Sequence, residues 1–229
     1  MYPAAAVPAK IKDRMAPAAP HNLDGADFME FASYYEFNTF FEFDEDYQAI
    51  QWMQNNVQGS PVIVEASIPE YRWGSRYSIH TGLPSVLGWN WHQRQQQAGT
   101  GSDEVRQRST DIARFYVSDS IPYAVEFLDE YEVRYVIRGV LEQLYYEEIQ
   151  PCQPAPDGDL MYCDMSGRPM GMEQPELHLE DCSLINEDNE GQGYVCRTPG
   201  QDKYTALEEQ EVLKEVFRSG STVIYEVPQ

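Results

Sequence analysis

The chain has 229 residues, and its 38 acidic and 16 basic side chains give it a formal charge of -22. Such a charge repels phosphate backbones and anionic lipid surfaces, so nucleic acid is not expected as a partner. Aromatic residues make up 13% of the chain, which argues against wholesale disorder. No run of sequence approaches the roughly 20 apolar residues of a membrane-spanning helix.

Residues 1–45 are interpreted as an N-terminal connector followed by an aromatic segment. Residues 1–22 repeat Ala and Pro around a basic patch, which is typical of an extended connector; the patch comprises Lys10, Lys12 and Arg14. Between Phe28 and Tyr47, nine aromatic residues are interleaved with acidic ones. We expect these rings mainly to cover the domain's own core. The alternative is a docking surface for a partner or for the membrane interface.

Residues 46–229 are predicted to form an α/β domain. An amphipathic helix over Asp46–Val57 precedes a short apolar strand at Val62–Val64. A second helix, starting near Ser120, precedes a strand at Val133–Ile137. This repeated order of helix, short turn and strand predicts a three-layer, Rossmann-like and mostly parallel sheet.

Two further elements complete the predicted domain. Ser102 or Asp103 is a suitable N-cap for a helix that continues to about Tyr116. Near the C-terminus, apolar and polar residues alternate on both sides of Ser219 and Gly220. That alternation predicts an antiparallel β-hairpin at one edge of the sheet.

All four cysteines fall in a segment of low periodicity at about 151–202, which is interpreted as a loop insertion; they are Cys152, Cys163, Cys182 and Cys196. None has the C-x-x-C spacing of most zinc sites, so two disulfides are favoured over free thiols. Disulfides would place the domain in an oxidising compartment. The sequence leaves all three possible pairings open.

An acidic run within the insertion offers hard oxygen ligands of the type that Ca²⁺ uses. It extends from Asn186 to Glu190 and precedes Gly191. Because its spacing does not match an EF-hand loop, a solvated acidic loop is favoured over a calcium site. No other cofactor and no metal site is predicted.

The candidate site lies in Pro61–Trp91, which is predicted to form a strand, a polar loop and a second strand. Glu65 ends the first strand, where open α/β sheets place their ligands, and Arg76, His80 and His92 could converge on it. A carboxylate beside an imidazole and a guanidinium is a workable acid/base and anion-binding set. The competing interpretation is a structural ion pair of Arg76 with Glu65, with both histidines facing solvent.

Three tryptophans in the same stretch could stack on sugar rings or could cap the sheet; they are Trp73, Trp89 and Trp91. The sequence contains no G-x-S-x-G elbow, no P-loop and no G-x-G-x-x-G after a strand. Hydrolase, nucleotide-binding and dinucleotide-binding functions therefore lose their main support, and no catalytic residue is predicted.

Three motifs carry a resemblance to a known family: PVIVEAS from Pro61, SRYSIHTGLPSVLGW from Ser75, and NWHQRQ from Asn90. In this combination the chain resembles the soluble C-terminal region of the YYY-type polytopic membrane proteins of archaea and chloroflexal bacteria. The resemblance covers most of the chain outside residues 151–202. It departs from the family pattern at Gln93 and in the run of three glutamines that starts at Gln95.

Members of that family look like GT-C-type glycosyltransferases that use lipid-linked sugars. The resemblance implies an extracytoplasmic accessory domain that follows the last membrane span and binds a glycan or an acceptor without being catalytic alone. Its partners would be the membrane-spanning part of the same parent protein and a glycan or lipid-linked sugar. The residues expected to line the site are Glu65, Arg76, Thr81, Trp89 and His92.

A structural role is the alternative hypothesis. In it the chain is a secreted or cell-surface protein that forms homo-oligomers through its aromatic N-terminal segment and its acidic surface.

Overall fold

A computed structural model describes residues 2–14, 20, 22–36, 39–69, 72–96, 102–151, 162–163, 182–185 and 193–228. The helices are α1 (Tyr2–Arg14), α2 (Asp44–Asn56), α3 (Arg76–Thr81), α4 (Asn90–Gln96), α5 (Ser102–Val117), α6 (Ile121–Glu130), α7 (Val140–Glu142) and α8 (Lys203–Glu209). The strands are β1 (Ser33–Glu36), β2 (Thr39–Glu42), β3 (Val62–Val64), β4 (Val133–Arg138), β5 (Glu148–Pro151), β6 (Tyr162–Cys163), β7 (Cys182–Ile185), β8 (Gly193–Arg197), β9 (Lys214–Ser219) and β10 (Thr222–Glu226). Short 3-10 turns at Asp27–Phe31 and Pro199–Gln201, and a π-helical turn at Gln143–Glu147, complete them.

The central sheet is mixed, with the strand order β3-β4-β10-β9. β3 pairs with β4 in parallel, whereas β10 is antiparallel to both β4 and β9. The C-terminal hairpin is therefore confirmed, but the mostly parallel, Rossmann-like sheet is not. The tight hairpin makes β9 and β10 antiparallel to each other, and β10 joins the sheet antiparallel to β4, so β3 with β4 is the one parallel pair among the described strands of this sheet.

Helices cover both faces of this sheet. Phe217 of β9 lies opposite Ile224, and its ring contacts Trp52 of α2 with centroids 5.7 Å apart. Tyr225 follows Ile224 along the strand and therefore faces the other way, where it stacks on Tyr204 of α8 at 5.1 Å. The strand residues between these layers form the core; they include Ile63, Val64, Val136, Ile137, Val223 and Ile224.

The strongly periodic elements agree with the sequence predictions. α2, α5 and α6 occupy the three predicted helical stretches, and β3 and β4 the two predicted strands. Ser120 caps α6, since its hydroxyl oxygen accepts a hydrogen bond from the backbone N–H of Tyr123 at 3.4 Å. Pro122 lies in the first turn, where its missing N–H is not needed.

The N-terminal stretch differs from the extended connector that was predicted, because Tyr2–Arg14 is a helix. Ala and Lys are strong helix formers, and they outweigh the hydrogen bond that Pro8 removes. In the aromatic segment, Phe41 and Phe43 are buried, as expected for rings that cover the core. Three aromatic side chains of the same segment are exposed: Phe31, Tyr35 and Phe40.

Within Pro61–Trp91, the first predicted strand is confirmed as β3. The predicted polar loop and second strand are wrong. The supposed loop contains α3, which ends at Gly82 with a φ of 74°. The following apolar run forms no strand: it is joined to β3 by an isolated bridge between Ile63 and Ser85, and α4 begins at Asn90. A six-residue helix carries too little periodicity to be recognised in sequence.

The cysteine-containing segment is not simply a loop insertion. Its described residues form an antiparallel sheet with the strand order β6-β5-β8-β7. Cys152 and the acidic run at 186–190 lie outside the described residues, and the other three cysteines are described by their backbone alone. Among the residues that the structure describes no disulfide is shown, and both the disulfides and the calcium site stay predictions. No helix in the described ranges is long and apolar enough to cross a membrane.

Candidate functional site

A buried ionic cluster connects three helices. Arg76 of α3 donates to both carboxylate oxygens of Asp46 on α2, at 2.7 and 3.0 Å. It also donates to Glu142 on α7, at 2.7 and 3.2 Å. The hydroxyl of Tyr77 donates to Asp46 at 2.6 Å, and the backbone N–H of Ala66 donates to Glu142 at 2.7 Å. The side chains are fully buried, so substrate could not reach the cluster without unfolding it.

The electrostatics of this cluster reflect burial and pairing. Burial raises the pKa of Asp46, and the charge of Arg76 opposes that shift. Burial also acts to raise the pKa of Glu142, but Arg76 and the backbone donors outweigh burial and lower it. For Arg76, burial acts to lower the pKa, yet the two carboxylates hold it well above its usual range. The guanidinium therefore stays charged and clamps α2, α3 and α7 together.

Glu65 has a separate structural role. Its two carboxylate oxygens accept hydrogen bonds from the backbone N–H groups of Tyr77 and Ser78, at 2.9 and 3.0 Å, and so anchor the start of α3. Burial raises the pKa of Glu65, while the charge of Arg76 and these N–H donors oppose the shift. Arg76 forms its ion pairs with Asp46 and Glu142 and not with Glu65. The alternative prediction therefore gave Arg76 a structural role, as observed, but with the wrong partner.

Two more candidate residues support α3 and its surroundings. The hydroxyl of Thr81 donates to the carbonyl of Tyr77 at 2.6 Å and accepts from the N–H of Leu83 at 3.2 Å, which closes the end of the helix. His80 is half-buried, and its ring lies 6.3 Å from that of Phe28. Burial lowers the pKa of His80, with the charge of Asp24 acting in the opposite direction.

Trp89 and His92 are the candidate residues that line an open cleft. Their ring centroids are 5.2 Å apart, and the indole N–H of Trp89 donates to the carbonyl of Gly74 at 3.3 Å. Trp91 also lines the cleft, and the two tryptophans remain 50% and 44% exposed. The empty space in and above the cleft, adjoining solvent included, is about 470 Å³. Glu65, Arg76 and Thr81 do not line it.

The cleft combines an apolar floor with a few polar groups. Ala66, Ile68 and Pro69 provide apolar surface, and Arg72 and Asn90 contribute polar side chains. The Oδ1 atom of Asn90 is buried and has no hydrogen-bond partner in the part of the chain that the structure describes. An apolar cleft with a few convergent polar groups is the usual form of a small-molecule site.

Arg72 and Asn90 were not predicted from the sequence. Arg72 lies beyond β3 in a stretch without periodicity, so no pattern indicated that it would line the same cleft as Trp89. Asn90 adjoins Trp89 and Trp91, and the alternation of tryptophan with polar residues was the available signal. Within the described ranges, no group of three or more His, Cys, Asp or Glu side chains could hold a metal ion.

No protein-family model and no curated protein matches the chain. Among solved structures, the C-terminal globular domain of an oligosaccharyltransferase from Archaeoglobus fulgidus is similar to it, with a TM-score of 0.40 and 14% sequence identity. The similarity covers 79% of this chain and 95% of that domain.

Proposed function

We propose that the chain is a binding domain whose aromatic cleft accepts a glycan or a glycosyl acceptor. The observation that carries this proposal is the pair of half-exposed tryptophans, Trp89 and Trp91, in one open cleft. Tryptophan is highly buried on average, so two exposed indoles at one cleft need a reason. Broad aromatic faces pair with the apolar faces of sugar rings, and the cleft's polar groups can bond to hydroxyls.

A binding role is favoured over a catalytic one by the position of the ionisable candidates. Glu65 and Arg76 are buried and bonded within the fold, away from the cleft. Of the five candidate residues, His92 is the titratable side chain that lines the cleft. It can donate or accept a hydrogen bond and thereby orient a ligand.

The proposed setting follows from the resemblance of the motifs around Pro61, Ser75 and Asn90. The chain would be an extracytoplasmic, membrane-associated accessory domain of a glycosyltransferase-like parent protein. Its proposed partners are the membrane-spanning part of that parent and the glycan or lipid-linked sugar on which the parent acts.

The proposal is tested by following the indole N–H signals of the four tryptophans by NMR during titration. The probes are mannotriose, triacetylchitotriose and a glucuronate-containing disaccharide. We expect one probe to shift the signals of Trp89 and Trp91 and to leave that of Trp52, which packs on the sheet, unchanged. Trp89→Ala should weaken binding about fivefold or more, since a stacked ring contributes on the order of 1 kcal/mol or more.

Trp52→Phe is the matched control, because Trp52 lies against Phe217 and outside the cleft. It should bind the probe as the wild type does. Equal loss of affinity in Trp89→Ala and Trp52→Phe would show that the fold and not the cleft is responsible. A full panel without any shift at Trp89 or Trp91 would overturn the proposal.

The second candidate function is self-assembly through the aromatic segment. It is favoured by Tyr35 and Phe40, whose exposed rings lie 4.6 Å apart on the β1–β2 hairpin. Sedimentation velocity distinguishes the two functions. A discrete oligomer that Phe40→Ser dissociates would favour assembly, and a monomer at all concentrations would contradict it.

A further inference from the structure

The aromatic cleft contains a serine whose hydroxyl is accessible to a ligand. Ser75 lines the cleft, and the carbonyl of its neighbour Gly74 accepts the indole N–H of Trp89 at 3.3 Å. The Ser75 hydroxyl has no hydrogen-bond partner among the described residues. Unlike the Oδ1 atom of Asn90, it is not buried without a partner. A ligand in the cleft can therefore reach this hydroxyl.

The hydroxyl of Ser75 is not needed to begin α3. A serine before a helix usually accepts a hydrogen bond from the backbone N–H of the second or third helical residue. In α3 these are the N–H groups of Tyr77 and Ser78, and both donate to the carboxylate of Glu65. The side chain of Ser75 makes no capping bond. Because Glu65 caps the helix, the Ser75 hydroxyl is available to the cleft.

The backbone of Ser75 adopts the left-handed conformation, with a φ of 61° and a ψ of 23°. Within the described ranges, Glu132 and Glu211 are the other non-glycine residues with a positive φ. Each of those follows the end of a helix, where this conformation is common. A residue that begins a helix normally has an extended backbone, and glycine would adopt the φ of Ser75 at less cost. The fold therefore keeps a side chain in the cleft at a position that favours glycine.

We propose that Ser75 is a ligand-binding residue of the cleft, and that its hydroxyl bonds to a hydroxyl group of the glycan while Trp89 packs on the sugar ring. A serine hydroxyl can both donate and accept, as a sugar hydroxyl can. The bond from Trp89 to Gly74 keeps the indole beside the backbone that carries Ser75. This inference rests on the proposed glycan binding and adds the group that orients the sugar on the aromatic surface.

The inference is tested with Ser75→Ala in the full chain. The probe is whichever of mannotriose, triacetylchitotriose and the glucuronate-containing disaccharide shifts the Trp89 signal of the wild type. We expect its affinity to fall about two- to tenfold, as for the loss of one neutral hydrogen bond. Unchanged affinity would overturn the role of Ser75 and leave glycan binding intact. If no probe shifts the Trp89 signal of the wild type, the proposed function and this inference are both overturned.

Ser78→Ala is the matched control, because Ser78 lies on α3 and does not line the cleft. Its hydroxyl donates to the backbone carbonyl of Ser75 at 3.1 Å. This variant should bind the probe as the wild type does. Equal losses of affinity in Ser75→Ala and Ser78→Ala would show that α3 as a whole is responsible, and would overturn the inference.

Ser75→Gly separates ligand binding from folding. Since glycine adopts a positive φ without steric cost, this variant should melt at the temperature of the wild type or above it. It should nevertheless bind the probe as weakly as Ser75→Ala does. Binding equal to that of the wild type would contradict the inference. A melting temperature below that of the wild type would show that the Ser75 side chain serves the fold, and would contradict it as well.

Discussion

At the scale of single residues, Arg76 shows how an ionisable side chain can resemble a site in sequence and be structural in the fold. Its partners Asp46 and Glu142 lie 30 and 66 positions away along the chain. All three side chains are withdrawn from water, so removal of the guanidinium would leave two buried carboxylates without a counter-charge. The same close packing explains Gly139, where a Cβ atom would lie 2.3 Å from Asp46 and 2.5 Å from Arg76.

We predict that Arg76→Met lowers the free energy of unfolding by about 3–5 kcal/mol, the cost of breaking a buried ion pair. Urea unfolding followed by circular dichroism measures this change. Arg106→Met is the control, because its ion pair with Asp103 is exposed and such pairs contribute at most about 1 kcal/mol. Similar losses in the two variants would show that the buried cluster does not hold α2, α3 and α7 together.

Unlike Arg76, some of the residues predicted for the site do line the cleft. Trp89 and His92 were predicted for the site and do line the cleft, whereas Glu65 and Arg76 are buried in the fold and Thr81 closes the end of α3. All five lie within one short stretch of sequence, and short sequence separation does not determine on which side of the chain a residue lies. In this stretch, α3 turns Arg76 and Tyr77 inward, and the chain beyond Gly82 carries Trp89 to the cleft.

At the scale of elements, local sequence patterns predicted single helices and a hairpin between strands that are adjacent in sequence. Helical spacing and a cap defined α2, α5 and α6, and alternation about Ser219 and Gly220 defined the β9–β10 hairpin. The sheet order could not be obtained in this way, because the position of β10 beside β4 depends on contacts about 90 residues apart, such as that of Arg134 with Glu226. β5 to β8 are short and lack clear alternation, so their pairing also depends on distant partners.

The end of α5 depends on Lys203 of α8 in a similarly distant way. Its Nζ atom donates to the carbonyls of Phe115, Ser118 and Gly200, with distances of 3.0 Å to the latter two, and burial lowers the pKa of this amine to about 7. These include carbonyls at the end of α5 that lack a partner within the helix. Gly200 brings the chain so close that a Cβ atom would lie 1.8 Å from the carbonyl oxygen of Tyr116.

We predict that Lys203→Met destabilises the protein by about 2–4 kcal/mol, because several buried carbonyls lose their donor. Amide hydrogen exchange should become faster at the end of α5 and in the turn around Gly200. Lys214→Met is the control, because Lys214 is exposed on β9 and should have little effect. Unchanged exchange at the end of α5 in Lys203→Met would contradict the proposed role of the Lys203 amine.

At the scale of the whole molecule, the charge of -22 acts on every contact described above. Like charges on a compact surface repel one another and reduce stability, and dissolved salt weakens that repulsion. The Debye length falls from about 30 Å at 0.01 M to about 8 Å at 0.15 M, which is shorter than the distance across the domain. Buried ion pairs such as Arg76 with Asp46 are screened much less.

We therefore predict that raising sodium chloride from about 0.01 M to about 0.15 M increases the melting temperature by roughly 2–8 °C, as expected for one or two kcal/mol in a chain of this size. A triple variant with Glu126→Lys, Glu130→Lys and Glu209→Lys changes three exposed positions and reduces the magnitude of the negative charge by six units, from -22 to -16. Its melting temperature should depend less on salt, because less repulsion remains to be screened.

Arg76→Met, in contrast, should lose the same free energy of unfolding at both salt concentrations. A melting temperature that falls with salt, or a triple variant that responds as the wild type does, would show that surface repulsion does not limit the stability of this domain.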